Sequence, residues 1–339
     1  MVTMSDVARV AKVSATTVSH VVNKTRKVSP ETERAVRDAI EATGYATDGI
    51  ARSLRTGRSL TLGLAMTAIS NTYFGDVVHA AERTATDRGY SLILTDTHDD
   101  PQREARALQV LLSHRVDGVI LAPFGPLRTA YGQLAKRHVP LVLIDRVPPS
   151  PLARVDAVGV NNVEPVARLV NHLVEAHGHT RIGMIAPQAG IITTDERVAG
   201  FRLGLERAGL DPDAAPLEYG GMGLDQTAAS LRTMLSSRTP PTALVLGNNL
   251  VTVAAVAALR TQHLTPPRMA TVSFDDFPWA DSFRPRITTM SQPVDELGAL
   301  AVQLLLERIE NPDLEPRHVR LEPTLRIRES CGCPLDDES

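Results

Sequence analysis

Residues 15 to 20 place short polar and small side chains on one face of a predicted helix, with no acidic residue among them. The outward residues are Ala15, Thr16, Thr17 and His20. Hydroxyl, imidazole and methyl groups of this kind contact base edges when a helix lies in the DNA major groove. The alternative interpretation is a solvated face on a small helical bundle, which the two-helix pattern alone does not exclude.

Polar and aromatic side chains also follow several predicted strands, at the edge where open α/β sheets bind ligands. There, an aspartate and an arginine hydrogen-bond to the polar groups of a small ligand, while an aromatic ring stacks on it. Taken one at a time, these residues also fit purely structural roles. Asp145 and Arg146 could form an ion pair, and Trp279 could pack in the core. The candidate ligand-binding residues are Tyr73, Phe74, Asp145, Arg146, Thr193, Arg197, Asn249, Asp275 and Trp279.

Three short helices are predicted to position the first of these surfaces. Thr3 and Asp6 form a T-x-x-D capping box that starts the first helix, and Ser14 offers an N-cap to the second. A third helix begins at Ser29, with Pro30 in its first turn, and ends before Gly44. The predicted inward residues are Val7, Val10 and Ala11 in the first helix and Val18, Val21 and Val22 in the second.

The charge is distributed unevenly along the 339 residues. The whole chain carries a net charge of −3, but residues 1–58 carry +4 and the remainder −7. A basic head on an acidic body is typical of a protein that contacts phosphates at one end only. Hydrophobic residues make up 43% and charged residues 22%, which indicates a globular chain long enough for two or three domains.

The sequence lacks the signatures of common enzymes. It contains neither G-x-x-x-x-G-K-[ST] nor G-x-S-x-G, so we expect no enzyme activity and no cofactor. No apolar run has the length of a membrane span, and no signal peptide precedes Thr3. We therefore expect a cytoplasmic protein without a membrane partner.

No metal site is predicted. Cys331 and Cys333 lie in what is expected to be an exposed polar tail, 331–339, and two ligands do not make a zinc site. His177 and His179 flank Gly178, where a capped turn at a helix end is the favoured interpretation over metal binding.

From residue 60 onward, buried apolar strands alternate with amphipathic helices in two series of similar size. This βαβ repetition predicts parallel sheets with helices on both faces. The predicted strands lie at 60–66, 90–95, 116–122, 139–145, 155–160, 182–186, 243–247, 269–274 and 319–326.

The string D-V-A-x-x-A-x-V-S-x-x-T-V-S-x-V-x-N at residues 6–23 resembles the DNA-binding head of the LacI/GalR family of bacterial repressors. Its outward residues are most similar to the purine-repressor branch of that family. The body resembles periplasmic sugar-binding proteins in Arg115-Val116-Asp117-Gly118, Ile144-Asp145-Arg146 and Phe274-Asp275-Asp276. The family usually has glycine where this chain has Lys12. If that turn requires a positive φ, lysine costs about 1 kcal/mol there.

The resemblance implies a small all-α helix-turn-helix head and a two-lobed α/β body with parallel sheets, like that of periplasmic binding proteins. The head would span 1–46, a hinge helix or linker 47–59, and the body 60–330, with lobe crossovers near 160, 290 and 322. The residues implied to bind DNA are Thr3, Ser5, Ser14, Ala15, Thr16, Thr17, Ser19, His20, Asn23, Tyr45, Ser53, Leu54 and Arg55.

The implied function is a ligand-responsive transcriptional regulator, expected to be a repressor. It would bind a palindromic double-stranded operator as a homodimer, with a small sugar or sugar derivative between the lobes as effector. Two alternatives stay open: a nucleobase-like corepressor, or a sugar-binding protein of transport. Ile191 stands where the purine-repressor branch has arginine, which argues against a purine, and a transport protein has no use for residues 3–54.

Overall fold

The computed structural model divides the chain into two compact units, Met1–Ser59 and Leu60–Ser339. The residues it describes are 2–23, 26–44, 58–67, 71–125, 127–149, 155–221, 223–277, 280–282 and 284–334.

The described residues 2–23 and 26–44 of the first unit, here called the head, contain three helices: α1 (Met4–Ala11), α2 (Ala15–Asn23) and α3 (Pro30–Thr43). The predicted capping box is present, because Asp6 N–H donates to Thr3 Oγ1 at 3.3 Å and Thr3 N–H donates to the Asp6 carboxylate at 3.0 Å. The Thr3 hydroxyl, which donates to the Asp6 carboxylate at 2.7 Å, and the Thr3 amide lower the pKa of Asp6. Ser14 Oγ accepts from the Thr17 amide at 3.0 Å and so starts α2.

The core of the head lies where the three helices meet. Its buried residues are Val7, Ala8, Val18, Val36 and Ala39. The predicted inward position of Val10 is wrong, since this side chain is 49% exposed. Ala11, the next residue, packs against the core as predicted. The apolar stripe of α1 is therefore narrower than the sequence pattern indicates.

The turn between α1 and α2 contains a left-handed residue that is not glycine. Lys12 has φ 54° and ψ 40°, and its amide donates back to the carbonyl of Ala8. An L-residue pays for this conformation through the clash of its Cβ with the following carbonyl oxygen. The turn between α1 and α2 therefore requires a positive φ at residue 12. The Cβ of Lys12 strains the backbone there.

We expect Lys12→Gly to stabilise the head by up to about 1 kcal/mol, because glycine adopts a positive φ without that clash. Thermal or urea unfolding of the head measures the change. Lys12→Ala is the matched control, since it removes the charge and keeps the Cβ. Equal stability of the two variants would show that backbone strain at residue 12 is negligible.

The second unit, here called the body, has two lobes, each with a six-stranded sheet. Lobe 1 contains β1 (Thr61–Met66), α4 (Thr72–Asp87), β2 (Ser91–Asp96), α5 (Pro101–Ser113), β3 (Gly118–Leu121), α6 (Leu127–Ala135), β4 (Leu141–Asp145), β5 (Asp156–Val160), α11 (Val294–Glu310) and β11 (His318–Leu321). Lobe 2 contains α7 (Val163–Glu175), β6 (Ile182–Ala186), α8 (Ile192–Arg207), β7 (Leu217–Tyr219), α9 (Leu224–Leu235), β8 (Ala243–Leu246), α10 (Asn249–Thr261), β9 (Ala270–Phe274), β10 (Thr288–Ser291) and β12 (Thr324–Arg326).

The sheets have the strand orders β11-β5-β4-β3-β1-β2 and β12-β10-β9-β8-β6-β7. All pairs in them are parallel except β10 with β12, which is antiparallel. The prediction of parallel sheets covered by helices is confirmed. The chain passes from one lobe to the other after β5, between β10 and α11, and between β11 and β12. The helices in the described residues include none long and apolar enough to cross a membrane.

Two features of the body differ from the sequence-based prediction. The single late strand predicted at 319–326 is two strands, β11 and β12, which pair in different sheets because residues 322–323 pass between the lobes. Strands β7 and β10 were not predicted; they have three and four residues, too few for a clear alternation of apolar and polar residues.

The segment after β12 is also unlike the exposed tail predicted from residue 331. Ser330 Oγ donates to the Thr271 carbonyl at 2.6 Å and accepts from the Thr288 amide at 2.8 Å, which fastens the segment to lobe 2. Cys331 is 1% exposed and packs in the core of lobe 2. Because the residues around Cys331 are mostly polar, the sequence does not predict that its side chain is buried. Residues 335–339 lie outside the described part of the chain.

Candidate functional site

A cavity of about 520 Å³, including its mouth, lies between the lobes, at the carboxyl ends of the parallel strands of both sheets. Lobe 1 contributes Thr67, Asn71, Tyr73, Phe74, Asp99, Asp145 and Arg146, and lobe 2 contributes Pro187, Ile191, Thr193, Thr194, Arg197, Asn248, Leu250 and Asp275.

Two aspartates occupy equivalent positions, one in each lobe. Asp145 is the last residue of β4 and Asp275 directly follows β9, and both have left-handed backbones, with φ 65° and 69°. Such a conformation is unfavourable for a residue other than glycine and concentrates at functional sites. Both side chains are buried. The backbone at the end of each strand therefore directs a carboxylate into the cleft.

In lobe 1, Tyr73 and Arg146 hold the carboxylate of Asp145 in place. The Tyr73 hydroxyl donates to Asp145 Oδ1 at 2.7 Å, and Arg146 lies beside Asp145 while donating to Asp99. Burial and the Asp145 charge raise the pKa of Tyr73 well above its ordinary value, so the phenol stays a donor. Burial also raises the pKa of Asp145, against the opposing effect of Arg146.

In lobe 2, the guanidinium of Arg197 is the centre of a buried network. It donates to Asn162 Oδ1 at 2.9 Å and to the Gly247 carbonyl at 2.8 Å, and it lies 3.9 Å from the centre of the Phe274 ring. Its Nη2 is 3.7 Å from Asp275 Oδ1, which also accepts from Gln292. Arg197 is thus held rigidly, with its charge directed at the cleft carboxylate.

Helix N-termini surround the same cavity. Asn71 caps α4 by accepting from the Tyr73 amide at 3.1 Å, Asn248 caps α10, and α8 begins with Thr193 and Thr194 buried at the wall. N-terminal amides and their dipoles attract oxygen atoms of a ligand. This geometry suits a ligand with several hydroxyl groups.

The two lobes are in direct contact at the cavity. Asn249 Nδ2, from α10 in lobe 2, donates to Asn71 Oδ1 at 2.7 Å and to Thr72 Oγ1 at 3.1 Å in lobe 1. Nearer the crossovers, Arg320 in β11 forms an ion pair of 2.8 Å with Glu196 in α8. These contacts join the two lobes across the cleft.

The structure brings together at this cleft the predicted ligand residues from both lobes, Tyr73, Phe74, Asp145, Arg146, Thr193, Arg197, Asn249 and Asp275. Trp279 lies outside the described residues. Sequence reasoning missed Asp99, Asn162, Thr194 and Gln292. Asp99 follows the predicted strand 90–95 and Thr194 adjoins the predicted ligand residue Thr193, signals that were available, but the roles of Asn162 and Gln292 depend on tertiary contacts.

On the head, the predicted base-reading residues lie on the side of α2 away from the core. Ala15 and Thr16 are exposed, and Thr17, Ser19 and His20 are partly exposed. Thr3, Ser5 and Ser14, at the starts of α1 and α2, are exposed as well. The side chain of Asn23 and all of Tyr45, Ser53, Leu54 and Arg55 lie outside what the structure describes.

Comparisons with known proteins agree with both units. The family model described as bacterial regulatory proteins, lacI family, matches residues 3–48, and the periplasmic binding protein-like domain matches residues 170–331. The ribose operon repressor of Escherichia coli strain K12 is 36% identical, covering 97% of this chain and 100% of its own length. The repressor PurR of Aliivibrio salmonicida is 33% identical over 97% and 99%.

Solved structures agree as well. The lac repressor dimer bound to operator and the anti-inducer ONPF has a TM-score of 0.85 at 26% identity, over 97% of this chain and 99% of that one. The complex of the transcriptional regulator CelR with cellobiose has a TM-score of 0.73 at 28% identity, over 97% and 100%. Full-length likeness to repressors, with a matching head and body, establishes that this chain belongs to the lacI family of bacterial regulatory proteins.

Proposed function

We propose that this protein is a repressor that binds a palindromic operator as a homodimer and responds to a small neutral sugar held between the lobes of its body. The observation that carries this proposal is the buried cleft in which an aspartate from each lobe faces an arginine, in a chain whose head matches the lacI family.

The charge of the cleft favours a neutral ligand. Among the described lining residues, Asp99, Asp145 and Asp275 face two cations, Arg146 and Arg197, so a sugar acid or a nucleotide would meet excess negative charge. Carboxylates accept and guanidinium groups donate hydrogen bonds, which are the two contacts that a sugar hydroxyl makes.

Several polar groups in and around the cleft are ready to bind such a ligand. Thr67 Oγ1, Arg146 Nε and Asn249 Oδ1 are buried without a hydrogen-bond partner among the described residues. A buried polar atom left unpaired costs free energy, which a ligand hydroxyl recovers. Phe74 supplies an aromatic surface at the same wall.

A nucleobase is the alternative ligand, suggested by the similarity to PurR. Ile191 opposes it, because a buried apolar side chain forms the part of the wall where the purine-repressor branch has arginine. The CelR structure contains cellobiose, which shows that a relative with this architecture accommodates a sugar. We therefore place sugars first.

Dimerisation follows from the size of the head. One short recognition helix contacts only a half-site, so a two-fold dimer on a palindrome is expected, as in the operator complex of the lac repressor. In the hinge, Leu54 and Arg55 would complete the interface, with Leu54 inserted between base pairs of the minor groove. Light scattering of the purified protein should give a dimer.

Regulation requires that the effector bind two arrangements of the lobes with different affinity. Because Asn249 joins the lobes beside the cavity, it contributes to the closed arrangement. A change in the angle between the lobes would alter the spacing of the two chains that lead from the dimer to the DNA. The relative affinities of the two arrangements decide whether the ligand releases or favours DNA.

We expect Asn249→Ala to lower effector affinity about tenfold, since it removes two hydrogen bonds between the lobes, worth roughly 0.5–1.5 kcal/mol each. Calorimetric titration with the effector measures the change. Gln262→Ala, on the exposed end of the same helix, is the matched control. Effector affinity equal to that of the wild type in Asn249→Ala would show that these contacts do not favour the closed cleft.

A panel of neutral sugars, sugar acids and nucleobases, screened by thermal shift, tests the ligand class, because a ligand of the folded state raises the melting temperature. Selection from a randomised DNA library tests the operator. The proposal requires that a neutral sugar stabilise the protein and that the selected sites be palindromic. Stabilisation by nucleobases alone would favour the alternative.

A further inference from the structure

Outside the cleft, two histidines and two cysteines meet on lobe 2. The ligand atoms of His172, His177, Cys331 and Cys333 all lie within 4.8 Å of one another. The histidines and the cysteines are more than 150 residues apart in sequence, so only the fold brings them together. Effector binding uses none of them.

The turn after α7 positions the two histidines. His172 is in the last turn of the helix, and the Gly178 amide donates to the Val174 carbonyl at 2.8 Å, which closes a turn after His177. Gly178 has φ 68°, as the end of such a turn requires. The two rings lie 5.3 Å apart between centroids. The predicted capped turn thus places two imidazoles side by side.

The segment fastened to lobe 2 positions the two cysteines. Cys331 ends a short 3₁₀ turn, and Gly332, with φ 105°, reverses the chain so that Cys333 returns toward the histidines. A Cβ on residue 332 would lie 3.3 Å from His177 Nδ1, so glycine is favoured there by space as well as by backbone conformation. The Cys331 thiol accepts from Thr288 Oγ1 at 3.2 Å.

Three nitrogen–sulfur distances among the ligand atoms lie close to those of a tetrahedral metal site. His172 Nε2 lies 3.3 Å from Cys331 Sγ and 3.8 Å from Cys333 Sγ, and His177 Nε2 lies 3.3 Å from Cys333 Sγ. Around zinc, with Zn–S of about 2.3 Å and Zn–N of about 2.0–2.1 Å, tetrahedral geometry separates nitrogen from sulfur by about 3.5 Å. Small side-chain shifts are enough to enclose an ion.

We propose that His172, His177, Cys331 and Cys333 bind one zinc ion in a closed site that ties the C-terminal segment to α7. Two thiolates and two imidazoles are the ligand set that zinc prefers, whereas magnesium and calcium prefer oxygen. Four protein ligands leave no open coordination position, so the site is structural. Cys333 and both histidines are only partly buried, which leaves an entry path for the ion.

The site has a mechanical consequence for lobe 2. Arg328, three residues before Cys331, donates to Asp276 at 3.0 Å and forms an ion pair of 2.7 Å with Asp281. Asp276 directly follows the cleft residue Asp275. Bound zinc would hold the segment that anchors this loop and so stabilise the folded body.

The direct test is elemental analysis of the reduced full-length protein after equilibration with zinc and removal of unbound ion. We expect one zinc per chain. Cobalt substitution should give the strong visible bands of tetrahedral Co(II) together with thiolate-to-cobalt charge-transfer bands in the near ultraviolet. Zinc should also raise the melting temperature and slow alkylation of both thiols.

Cys333→Ser and His177→Gln alter partly buried positions and should lose stoichiometric zinc and the melting-temperature response. His79→Gln changes an exposed histidine on α4 and is the control that should keep both. Substoichiometric zinc in the reduced wild type, a cobalt spectrum without charge-transfer bands, or full zinc binding by the Cys333→Ser/His177→Gln double variant would overturn the proposal.

Discussion

Replacing Asp275 by asparagine is expected to weaken effector binding about 10- to 100-fold while operator affinity without effector stays unchanged. The substitution keeps the shape of the side chain but removes a buried charged acceptor, and hydrogen bonds to charged groups contribute roughly 1.5–3 kcal/mol each. Arg197 and Gln292 now hold this carboxylate toward the cleft. Calorimetry with the effector and anisotropy with labelled operator measure the two affinities separately.

Asp213→Asn is the matched control, because Asp213 pairs with Arg202 on the surface of lobe 2, away from the cleft. Arg197→Ala should also abolish the effector response. It additionally leaves the buried carboxylate of Asp275 without its cation, which costs about 3–5 kcal/mol of body stability, so the unfolding of this variant must be checked first. Unchanged effector affinity in Asp275→Asn would remove this residue from the site.

Thr16→Ala and His20→Ala are expected to cost about 1–3 kcal/mol of operator binding each and to relax base preference at one position per half-site. The reason is that α2 presents these side chains on its side away from the core. Binding to a randomised operator library measures both effects. A base preference identical to that of the wild type would contradict the assignment of this face to the major groove.

Arg55→Ala provides the contrast for this experiment. Arg55 lies outside the described residues, and its predicted phosphate contact comes from the sequence. Loss of a phosphate contact weakens binding to all sequences alike and flattens the salt dependence. The two classes of variant therefore separate base readout from backbone contact in the same assay.

The sequence predicts the head closely because its signals are local. Thr3, Ser14 and Ser29 each start a helix through their own hydroxyl group, and Gly44 ends α3 in the left-handed region. The long buried strands of the body are equally evident, because strands covered on both faces are continuous apolar runs. Strands β7 and β10, the division between β11 and β12 and the burial of Cys331 depend on tertiary packing.

The cleft is predictable in outline, since parallel strands end at one edge and polar residues follow them. What sequence reasoning does not supply is the contacts between distant residues. Gln292 reaches Asp275 only because β10 lies beside β9, and Asn162 meets Arg197 only because α7 packs on α8. The histidine–cysteine cluster was not predicted either, because its two pairs of residues are far apart in the sequence and meet only in the folded chain.

Regulation by the effector requires energetic coupling between the cleft and the DNA-binding head. The most direct test is operator affinity of the full-length protein, measured with and without a saturating concentration of the sugar identified by thermal shift. We predict a clear change in operator affinity, matched by an equal change in sugar affinity when operator is bound, since coupling is reciprocal. Asp275→Asn should show the same change only at sugar concentrations about 10- to 100-fold higher, because its effector affinity is weaker by that factor. Identical operator affinity of the wild type in both conditions would contradict the account.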